Sequence, residues 1–565
     1  MIQLGLSGFY HDSAAALIID GKVIAAIEEE KLSGIKHDSS FPFKAIEWVL
    51  KYAQITIDEV DMVCWYEEPN TKYDRVKKTV GKLAGLMYPK VWKDFKKRWK
   101  ETEGDIEGFL QRLGYNGVIT YTKHHLSHIA FAHYTSPYNE SVAISIDGVG
   151  EWDTMYAVKC DNNEFRFIKS LKFPHSLGLV YSAITAYLGF KPNGGEYKVM
   201  GLAPYGDYMK YRHVFDKVSV LDFANLININ MDLFEWDHSD KTMFNYELGK
   251  LIGFEPRTPE SKIEQHHMDL AAALQKWYES QFYFIVNHCI HQTDSNNLVL
   301  SGGCAYNGTA NGKLLKHTSA KNVWIPFAPS DAGSAIGACL YQWHNIMGND
   351  KPIGGANTSP YLGEEWNDNE LFDIISKHKK LKVEYIKSDS KLCKEVSNLI
   401  YNGSVVGWFQ GRTEFGARAL GNRSILANPH LPDVRDRINK VVKKREMFRP
   451  FAPSVTIEDY DKYFISEGEV PYMNQVVQVT KYKSIPSVTH VDNSARIQTV
   501  KMEDNPLYYK LLKEFEKISG TPILLNTSFN LRGHTMTNDP NKAIWTFKNC
   551  DMDYLVLGNY LISKI

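Results

Sequence analysis

The stretch VITYTKHHLSHIAFAHY, residues 118–134, decides how the fold and function of this chain are interpreted. His124 and His128 stand four positions apart in a run of small and apolar residues that ends at Ser136-Pro137, a helix stop. Positions i and i+4 share one face of a helix, so both imidazoles can reach one metal ion. The spacing alone favours the plainer alternative of one packed and one solvated histidine. The surrounding sequence has to decide between the two.

Two acidic residues strengthen the metal interpretation. Asp147 comes at the end of an apolar run, VAISIDG, that has the pattern of a strand. Two histidines and one carboxylate leave open metal positions that substrate oxygens can fill. Asp331 lies in FAPSDAGSAIG at the turn into a small-residue helix, where it offers a fourth metal ligand or a ribose or phosphate contact. These neighbours favour a metal site.

The composition is that of an ordinary globular enzyme with more than one domain. The 565 residues are 44% hydrophobic and 23% charged, with a formal net charge of −1. This balance gives no general attraction to nucleic acid or to membranes, and no apolar run reaches the length of a membrane span. The seven cysteines are scattered without a CxxC pair, and the first residues lack the basic region of a signal peptide. We therefore expect a cytoplasmic protein with reduced thiols.

A strand and turn pattern near the N-terminus recurs further along the chain. IQLGLSG, SAAALIID and VIAAIEEE predict a strand and a hairpin, and SVAISIDG with the segments after it predicts the same order again. Each first strand leads into a loop with polar residues, His11 and Asp12 in one case and Asp147 in the other. This pattern indicates a weak internal duplication. A shift to Gly, Pro and Asn after Trp343 predicts a domain boundary near residue 350.

Two glycine-rich segments supply candidate anion contacts. LSGGCAYN places Gly302 and Gly303 where the backbone can approach a ligand, and Asn307 at the start of a helix whose N-terminus favours phosphate. GGEYKVMGLAPYG holds Glu196 and Lys198 among glycines. For Lys198, phosphate contact and a solvated loop position are equally supported. The aromatic and basic segment 73–100 is interpreted as a solvated amphipathic helix pair rather than a nucleic-acid site.

The segment from residue 411 is rich in arginine: GRTEFGARALGNRSILA, followed by DRINKVVKKREMFRPFAPS. Guanidinium groups beside Gly and Pro indicate inward-pointing side chains that suit carboxylate or phosphate oxygens. A surface charge run explains the lysines better than the arginines, and the segment lacks the Lys-Ser/Thr pair of a P-loop. Arg496 and the strand end Asn526–Asn530 add further polar groups. The cations of the segment are Arg412, Arg418, Arg423, Lys443, Lys444, Arg445 and Arg449.

With these residues in view, the chain resembles the NodU/CmcH family of O-carbamoyltransferases over essentially its full length. The motifs that carry the resemblance, in order, are GLSGFYHDSAAALIIDG, EEEKLSGIKHD, HHLSH, SIDGVGE, HSLGLVYSAITAYLGF, GGEYKVMGLAPYG, SGGCAYN, PSDAGSAIGA, GRTEFGARALGNRS, KKREMFRPFAPS and LNTSFNLRG. The resemblance implies an α/β protein. Residues 1–350 would form a duplicated ASKHA (actin-like ATPase) domain that transfers the carbamoyl group, and 351–565 a YrdC-like domain that forms carbamoyl-adenylate.

The same resemblance implies the reaction and its co-substrates. Carbamoyl phosphate and ATP, with Mg²⁺, would give carbamoyl-adenylate. The carbamoyl group would then pass to a hydroxyl of a small-molecule acceptor, such as a natural product (an antibiotic, for example) or a sugar, with release of AMP. No nucleic-acid or membrane partner is expected, and the question of a homodimer stays open.

Site residues are carried over by position from the same resemblance. His124, His128, Asp147 and Asp331 would bind a divalent metal, Fe²⁺ by family precedent, and His11 would be the general base at the acceptor hydroxyl. Adenylate contacts are expected from Lys36, Gly303 and Asn307, with Ser176 and Lys198 as lesser candidates. The pocket for carbamoyl phosphate and the nucleotide phosphates would comprise Arg418, Lys443, Arg449, Arg496, Asn526 and Ser528. The chain departs from the usual family pattern at Lys31 and His534.

Three other functions remain as alternatives. A sugar or small-molecule kinase on an ASKHA fold does not require the HxxxH pattern and leaves residues 400–565 unexplained. A tRNA-modifying role is opposed by the near-neutral charge. A non-enzymatic, nucleotide-gated binding module needs neither the metal set nor the arginine-rich pocket.

Overall fold

The computed structural model describes residues 1–84, 88–239, 241–352, 354–355, 359–466 and 468–565. The chain forms two compact units, Met1–Glu29 with Asp38–Thr358 and Glu30–His37 with Ser359–Ile565. We expected a boundary near residue 350, and residues 353 and 356–358 of that linker stretch lie outside the described residues. Nothing in the sequence pattern indicated that the short segment Glu30–His37 would group with the second unit.

Two five-stranded sheets with the same strand order form the framework of the first unit. The described strands of this unit are β1 (Ile2–Ser7), β2 (Ala14–Ile19), β3 (Lys22–Glu28), β4 (Met62–Trp65), β5 (Val118–Tyr121), β6 (Glu140–Ile146), β7 (Asp153–Asp161), β8 (Glu164–Lys172), β9 (Ser219–Asp222), β10 (Leu226–Ile229), β11 (Asn297–Ser301) and β12 (Asn322–Trp324). The sheets run β3-β2-β1-β4-β5 and β8-β7-β6-β11-β12, while β9 and β10 form a separate hairpin.

The match between the two sheets extends to strand direction. In each sheet the first strand in sequence, β1 or β6, pairs antiparallel with the hairpin strand that follows it. It pairs in parallel with a later strand, β4 or β11, which in turn pairs in parallel with the edge strand. The predicted internal duplication is confirmed, and the strand order and directions agree with the α/β, ASKHA-like class that was expected.

Helices connect these strands and cover the sheets. Up to residue 340 the described helices are α1 (Glu29–Ser33), α2 (Phe43–Ala53), α3 (Pro69–Ala84), α4 (Tyr88–Lys100), α5 (Ile106–Arg112), α6 (His124–Thr135), α7 (Leu177–Tyr187), α8 (Glu196–Leu202), α9 (Arg212–Val218), α10 (Tyr246–Ile252), α11 (Gln265–His291), α12 (Gly308–Asn311), α13 (Leu314–His317) and α14 (Asp331–Leu340). The predicted helix pair in 73–100 corresponds to α3 and α4, with residues 85–87 outside the described residues.

Helix α6, which carries the HxxxH pattern, packs closely against α14. A Cβ atom at Gly337 would collide with the Ser127 carbonyl oxygen, and one at Gly333 would lie 2.7 Å from the Phe131 ring. The small residues of α14 therefore let the two helix backbones approach each other. This contact positions the start of α14 beside the face of α6 that bears the histidines.

A mixed eight-stranded sheet forms the centre of the second unit. Its described strands are β13 (Leu381–Tyr385), β14 (Val406–Phe409), β15 (Arg423–Ala427), β16 (Ala452–Thr456), β20 (Gln498–Val500), β21 (Ile523–Ser528), β22 (Tyr554–Leu557) and β23 (Tyr560–Lys564), in the order β13-β23-β22-β14-β15-β21-β16-β20. A three-stranded sheet adds β17 (Phe464–Ile465), β18 (Val476–Val479) and β19 (Ser494–Arg496). The helices are α15 (Asp368–Ser376), α16 (Asp389–Tyr401), α17 (Val434–Arg437), α18 (Pro506–Ser519) and α19 (Pro540–Lys548).

Alternating side chains divide the second unit into two apolar cores, one on each face of the large sheet. Along β21, Ile523 and Leu525 join the core that includes α19, whereas Leu524 joins the core that includes α16 and α18. Both strands predicted here, SVVGWFQ and PILLNTSFN, are present as β14 and β21. The α/β class of this unit agrees with the prediction. Across the described residues of the whole chain, the helices are too short or too polar to cross a membrane.

Candidate metal centre and anion site

Four predicted metal ligands converge in the first unit. Each of His124, His128, Asp147 and Asp331 offers one ligand atom, and these atoms all lie within 4.8 Å of one another. The two histidines share one face of α6, Asp147 directly follows β6, and Asp331 begins α14. The His128 Nε2 atom is 3.2 Å from Asp147 Oδ2 and 3.4 Å from Asp331 Oδ1, and the two imidazole Nε2 atoms are 3.1 Å apart. The fold therefore brings together the set that the sequence pattern indicated.

Charge and burial at this centre suit a cation. Burial disfavours the imidazolium form of His128, but hydrogen bonds and charges from Asp147 and Asp331 outweigh this effect and raise its pKa to about 9. Burial raises the pKa of the Asp147 carboxyl, yet His124 and His128 outweigh it and hold the pKa well below its usual range. A divalent cation would replace these protons as the positive partner of the two carboxylates.

The outer nitrogens of the two rings face protein groups. The Ser334 hydroxyl lies 2.9 Å from His128 Nδ1, and a Glu67 carboxylate oxygen lies 3.8 Å from His124 Nδ1. Within the described residues, the buried Asp331 Oδ2 atom has no hydrogen-bond partner. The Ser334 contact at Nδ1 orients the His128 ring with Nε2 toward the centre. Two imidazoles and two carboxylates fit Fe²⁺ or another first-row divalent metal.

His11 lies at the edge of this centre. Its Nδ1 atom is 3.0 Å from Asp12 Oδ2, and its Nε2 atom is 3.9 Å from Asp331 Oδ2. Burial disfavours a protonated ring, but Asp331 and Asp12 outweigh burial and raise the pKa of His11 to about 9. A base at neutral pH needs a lower pKa, so His11 can accept a proton only when a cation offsets the charge of Asp331.

The predicted residues Gly302, Gly303 and Ser176 organise the loop that carries Asp147. The Gly303 amide donates to Asp147 Oδ2 at 3.1 Å, and the Gly148 amide donates to Oδ1 at 2.9 Å. Gly302 has φ +83° and ψ 165°, a region open essentially to glycine alone. Ser176 caps α7 by accepting from the Leu179 amide, and its hydroxyl donates to the Gly148 carbonyl at 2.7 Å. These contacts hold the Asp147 carboxylate in place.

The side-chain amide of Asn307 forms hydrogen bonds with the side chain of Gln275. Its nitrogen donates to Gln275 Oε1 at 3.1 Å, and its oxygen accepts from Gln275 Nε2 and from the Ala310 amide, both at 3.1 Å. Lys198, on α8, has its Nζ 5.4 Å from the centroid of the Phe190 ring. The adenylate roles of Asn307 and Lys198 stay predictions.

An internal glutamate fills the glycine-rich loop before α8. Both carboxylate oxygens of Glu196 accept from consecutive backbone amides, those of Asn193, Gly194 and Gly195, at 2.9–3.0 Å. The Ser182 hydroxyl donates to the same carboxylate at 2.7 Å. The amides that could have received a phosphate already bind an anion of the chain itself.

A buried lysine marks the candidate anion site of the second unit. The Lys443 ammonium contacts Asn530 Oδ1 at 2.7 Å, the Asn530 carbonyl at 3.0 Å and the Ser528 hydroxyl at 3.2 Å, as well as the Ser528 carbonyl. All of these acceptors are uncharged. Burial lowers the pKa of Lys443 well below its usual value, and neighbouring cations add to the effect. These cations are Arg445, Arg449 and Lys36. A bound anion would stabilise this group of charges.

Two arginines of the arginine-rich segment from residue 411 bind the backbone of the unit. Arg423 is fully buried, stacks 3.7 Å from the centroid of the Phe409 ring, and donates to the Glu364 and Gly411 carbonyls, each at 3.0 Å. Arg412 donates to the Gly363 carbonyl at 3.1 Å. The expectation of inward-pointing guanidiniums is correct for both, but their acceptors are main-chain carbonyls.

Asn526 lies in a polar network within the sheet. Its buried amide donates to Ser454 Oγ and Gln498 Oε1, both at 3.1 Å. Arg418 is half-buried in the loop between β14 and β15, and Arg496 ends β19. Contact of these three residues with phosphate stays a prediction.

Sequence reasoning missed a glutamate that shapes the loop after β14. One carboxylate oxygen of Glu414 accepts from the amides of Leu420, Asn422 and Arg423 at 2.7, 2.9 and 3.1 Å. An acid that precedes a glycine-rich, arginine-rich run is the signal that could have identified it.

The two departures from the family pattern lie in the second unit. Lys31 is buried and pairs with Glu30 at 3.0 Å. The His534 ring lies 5.4 Å from the Trp545 ring, and its carbonyl accepts from the Asn530 side chain at 2.8 Å. His534 is thereby linked to the residue that contacts Lys443.

The duplicated first unit with its acidic histidine centre, joined to an α/β unit with a cationic site, defines a two-domain transferase. Family models described as Carbamoyltransferase N-terminus and Carbamoyltransferase C-terminus match residues 2–340 and 397–564. The chain belongs to the carbamoyltransferase family, and it is an enzyme that transfers carbamoyl groups.

Three relatives illustrate the extent of the match. The chain is 38% identical to the uncharacterised protein sll1178 of Synechocystis, over 99% of this chain and 96% of that protein. It is 35% identical to the nodulation protein NolNO of Sinorhizobium fredii, over 100% of this chain and 83% of the relative. It is 26% identical to the 3'-hydroxymethylcephem-O-carbamoyltransferase of Amycolatopsis lactamdurans, over 97% of both. The resemblance to the NodU/CmcH family is confirmed.

Proposed function

We propose that this carbamoyltransferase carries out two half-reactions in one chain. In the second unit, carbamoyl phosphate, ATP and water give carbamoyl-adenylate, phosphate and pyrophosphate. In the first unit, a hydroxyl oxygen of a small-molecule acceptor attacks the carbamoyl carbon, and AMP leaves. The name of the Amycolatopsis relative describes carbamoyl transfer to a hydroxymethyl group, which supports an alcohol as the acceptor.

The observation that carries this proposal is the opposite charge of the two candidate sites. The centre in the first unit joins two histidines to two carboxylates and suits a cation. Among the described residues, the Lys443 ammonium of the second unit contacts only uncharged acceptors and has further cations near it, so this site suits phosphate groups. A kinase on this fold would need neither the histidine pair nor the second cationic site.

The chain's own groups account for the proton and the charges. Fe²⁺ or another divalent metal held by the four ligands would stabilise negative charge on the phosphate oxygens of the leaving AMP. His11 takes the proton from the acceptor hydroxyl as the new carbon–oxygen bond forms. Asp12 holds the opposite nitrogen of that ring, which leaves Nε2 as the receiving atom. In the second unit, Lys443 and Arg449 would bind the phosphates of carbamoyl phosphate and Mg-ATP.

The test separates the two half-reactions. Arg418→Ala should abolish pyrophosphate release from ATP and carbamoyl phosphate without acceptor. His128→Ala should retain that release but fail to form carbamoylated product. Product formation is measured by mass spectrometry, with sugars and hydroxymethyl compounds as the acceptors. Arg166→Ala and His291→Ala, at exposed positions, serve as controls with both activities unchanged. Formation of ADP instead of pyrophosphate would indicate a kinase, and loss of both activities in His128→Ala would contradict the division between units.

A further inference from the structure

Helix α3 places cationic side chains beside the His11 end of the metal centre. Lys72 lies 6.0 Å from the centroid of the Tyr10 ring, whose own centroid is 4.5 Å from that of His11. The Tyr10 hydroxyl accepts from the Asn193 amide at 3.3 Å. One helical turn after Lys72, Arg75 interacts electrostatically with Tyr10. These groups lie where an acceptor would approach the proposed base.

Arg75 is half-buried, and part of its guanidinium has no hydrogen-bond partner among the described residues. Its Nε atom is buried and makes no hydrogen bond. The nearby acids that interact with it, Glu67 and Glu151, are already engaged at closer range. Glu67 pairs with Lys72 at 2.7 Å, and Glu151 accepts from the Glu68 and His124 amides at 2.8 and 3.0 Å. A buried guanidinium nitrogen without an acceptor is destabilising unless a ligand supplies one.

Aromatic rings lie beside Arg75 and beside Lys78, a further cation of helix α3. The Arg75 guanidinium lies 5.6 Å from the centroid of the Phe173 ring, and the Lys78 ammonium lies 4.7 Å from that of Trp152. Phe173 and Trp152 are half-buried, and Tyr10 is 43% exposed, so molecules from solvent can reach these rings. Flat apolar faces next to hydrogen-bond donors suit a ring-shaped polar ligand such as a sugar.

We propose that Arg75 binds an oxyanion of the acceptor, and that the acceptor is an acidic hydroxyl compound such as a sugar acid or a sugar phosphate. The inference rests on the proposed function, since it assigns the substrate class of the transfer site. Two parallel donors of one guanidinium match the two oxygens of a carboxylate or a phosphate. The aromatic faces pack against the ring, and the anion fixes which hydroxyl faces His11.

Binding measurements on the full-length protein test this without knowledge of the natural acceptor. Calorimetry with glucuronate, glucose 6-phosphate and glucose compares two oxyanions with a neutral parent. We expect at least one acidic probe to bind about 10–100-fold more tightly than glucose, the range for a charge-assisted hydrogen-bonded pair. Arg75→Gln should remove that difference, and Arg75→Lys should retain part of it. The favoured probe tells a carboxylate site from a phosphate site.

A control variant and a second readout separate this proposal from folding defects and from the proposed function. Arg98→Gln changes an exposed arginine on the neighbouring helix α4 and should bind all probes as the wild type does. Pyrophosphate release without acceptor should be the same in wild type and Arg75→Gln, since it belongs to the second unit. Equal binding of the three probes, or no binding of either acidic probe, overturns the acidic acceptor. Absent pyrophosphate release in the wild type overturns the adenylate half-reaction instead.

Discussion

At the scale of single residues, carboxylates of the chain occupy two loops that resemble phosphate sites. Glu196 binds consecutive amides of the loop before α8, and Glu414 binds amides of the loop after β14. Glycine-rich loops expose amides that attract anions, and an acid within reach satisfies them without a ligand. The cations near such loops, rather than the amides, are therefore the better guide to where phosphate binds here.

Gly302 is a position where any side chain should disrupt the metal centre's framework. Its φ and ψ lie in a region open essentially to glycine, and a Cβ atom would collide with the Ile146 carbonyl oxygen. We expect Gly302→Ala to lower the free energy of unfolding by about 3 kcal/mol or more. Gly253→Ala is the matched control. It also has positive φ, at +85°, but open space around it, so its cost should be about 1 kcal/mol.

Urea denaturation of both glycine variants measures how much unfolding free energy each substitution removes. Equal losses of stability would show that neither the φ/ψ region of Gly302 nor the close approach of the Ile146 carbonyl adds a cost beyond that of a positive φ.

Ser334 should tune metal affinity without binding the metal itself. Its hydroxyl lies 2.9 Å from His128 Nδ1, so Ser334→Ala frees the ring to rotate. We expect metal affinity to fall about 10–100-fold, measured by competition with a chelator for Fe²⁺. Ser319→Ala removes a similar serine contact, 3.1 Å from the exposed His291, and should leave the affinity unchanged. An unchanged affinity in Ser334→Ala would mean that helix packing alone orients His128.

The sequence was sufficient for the four candidate metal ligands because each lies at a recognisable place in an element. His124 and His128 repeat at helical spacing, Asp147 ends a strand and Asp331 begins a helix. Arg423 could not be assigned in the same way. Its acceptors are carbonyls distant in sequence, such as that of Glu364, and only the folded chain brings them together.

At the scale of elements, helix α6 is fixed at its C-terminal end by a lysine from far along the chain. The buried Lys351 ammonium donates to the His133 carbonyl at 2.8 Å, to the Ser136 hydroxyl at 3.3 Å and to the Tyr138 carbonyl. A cation at the C-terminus of a helix is stabilised by the helix dipole. This contact anchors the helix that presents His124 and His128, and no local pattern around residue 351 predicted it.

The burial of Lys351 predicts a characteristic pH dependence of stability. Burial lowers its pKa from 10.5 to about 8, so the folded state binds fewer protons than the unfolded state between these values. Stability from this group therefore rises with pH across that window and is constant below it. Relative to Lys351→Met, the wild type should gain up to about 3 kcal/mol between pH 8 and 10.5, measured by denaturant unfolding at each pH.

Lys169→Met provides the comparison for Lys351→Met. Lys169 also donates to a backbone carbonyl, that of Ala224, but from a half-buried position. Its stability difference from the wild type accounts for the loss of a lysine contact with a carbonyl as such. A Lys351→Met difference that stays flat between pH 8 and 10.5 would show that the ammonium is not desolvated in solution.

At the scale of the whole molecule, sequence order and spatial grouping differ in one segment. The duplicated sheets followed from repeated strand patterns, because hairpins and parallel crossovers leave local marks in sequence. Glu30–His37 carries no such mark, yet it groups with the second unit. Lys36 in that segment adds to the positive charge around Lys443. The near-zero net charge of the chain thus conceals a local cationic site built from residues far apart in sequence.

Hydrogen exchange should reveal this grouping when the anion site fills. Since Lys36, Lys443 and Arg449 share one region of charge, carbamoyl phosphate should slow amide exchange both in residues 30–37 and around 443–449. The β9–β10 hairpin of the first unit should exchange at an unchanged rate. Lys443→Gln, which removes the buried ammonium, should abolish the protection of both segments. Protection around 443–449 without any change in 30–37 would exclude Lys36 from the phosphate site. The anion would then bind only to the cations that follow β15.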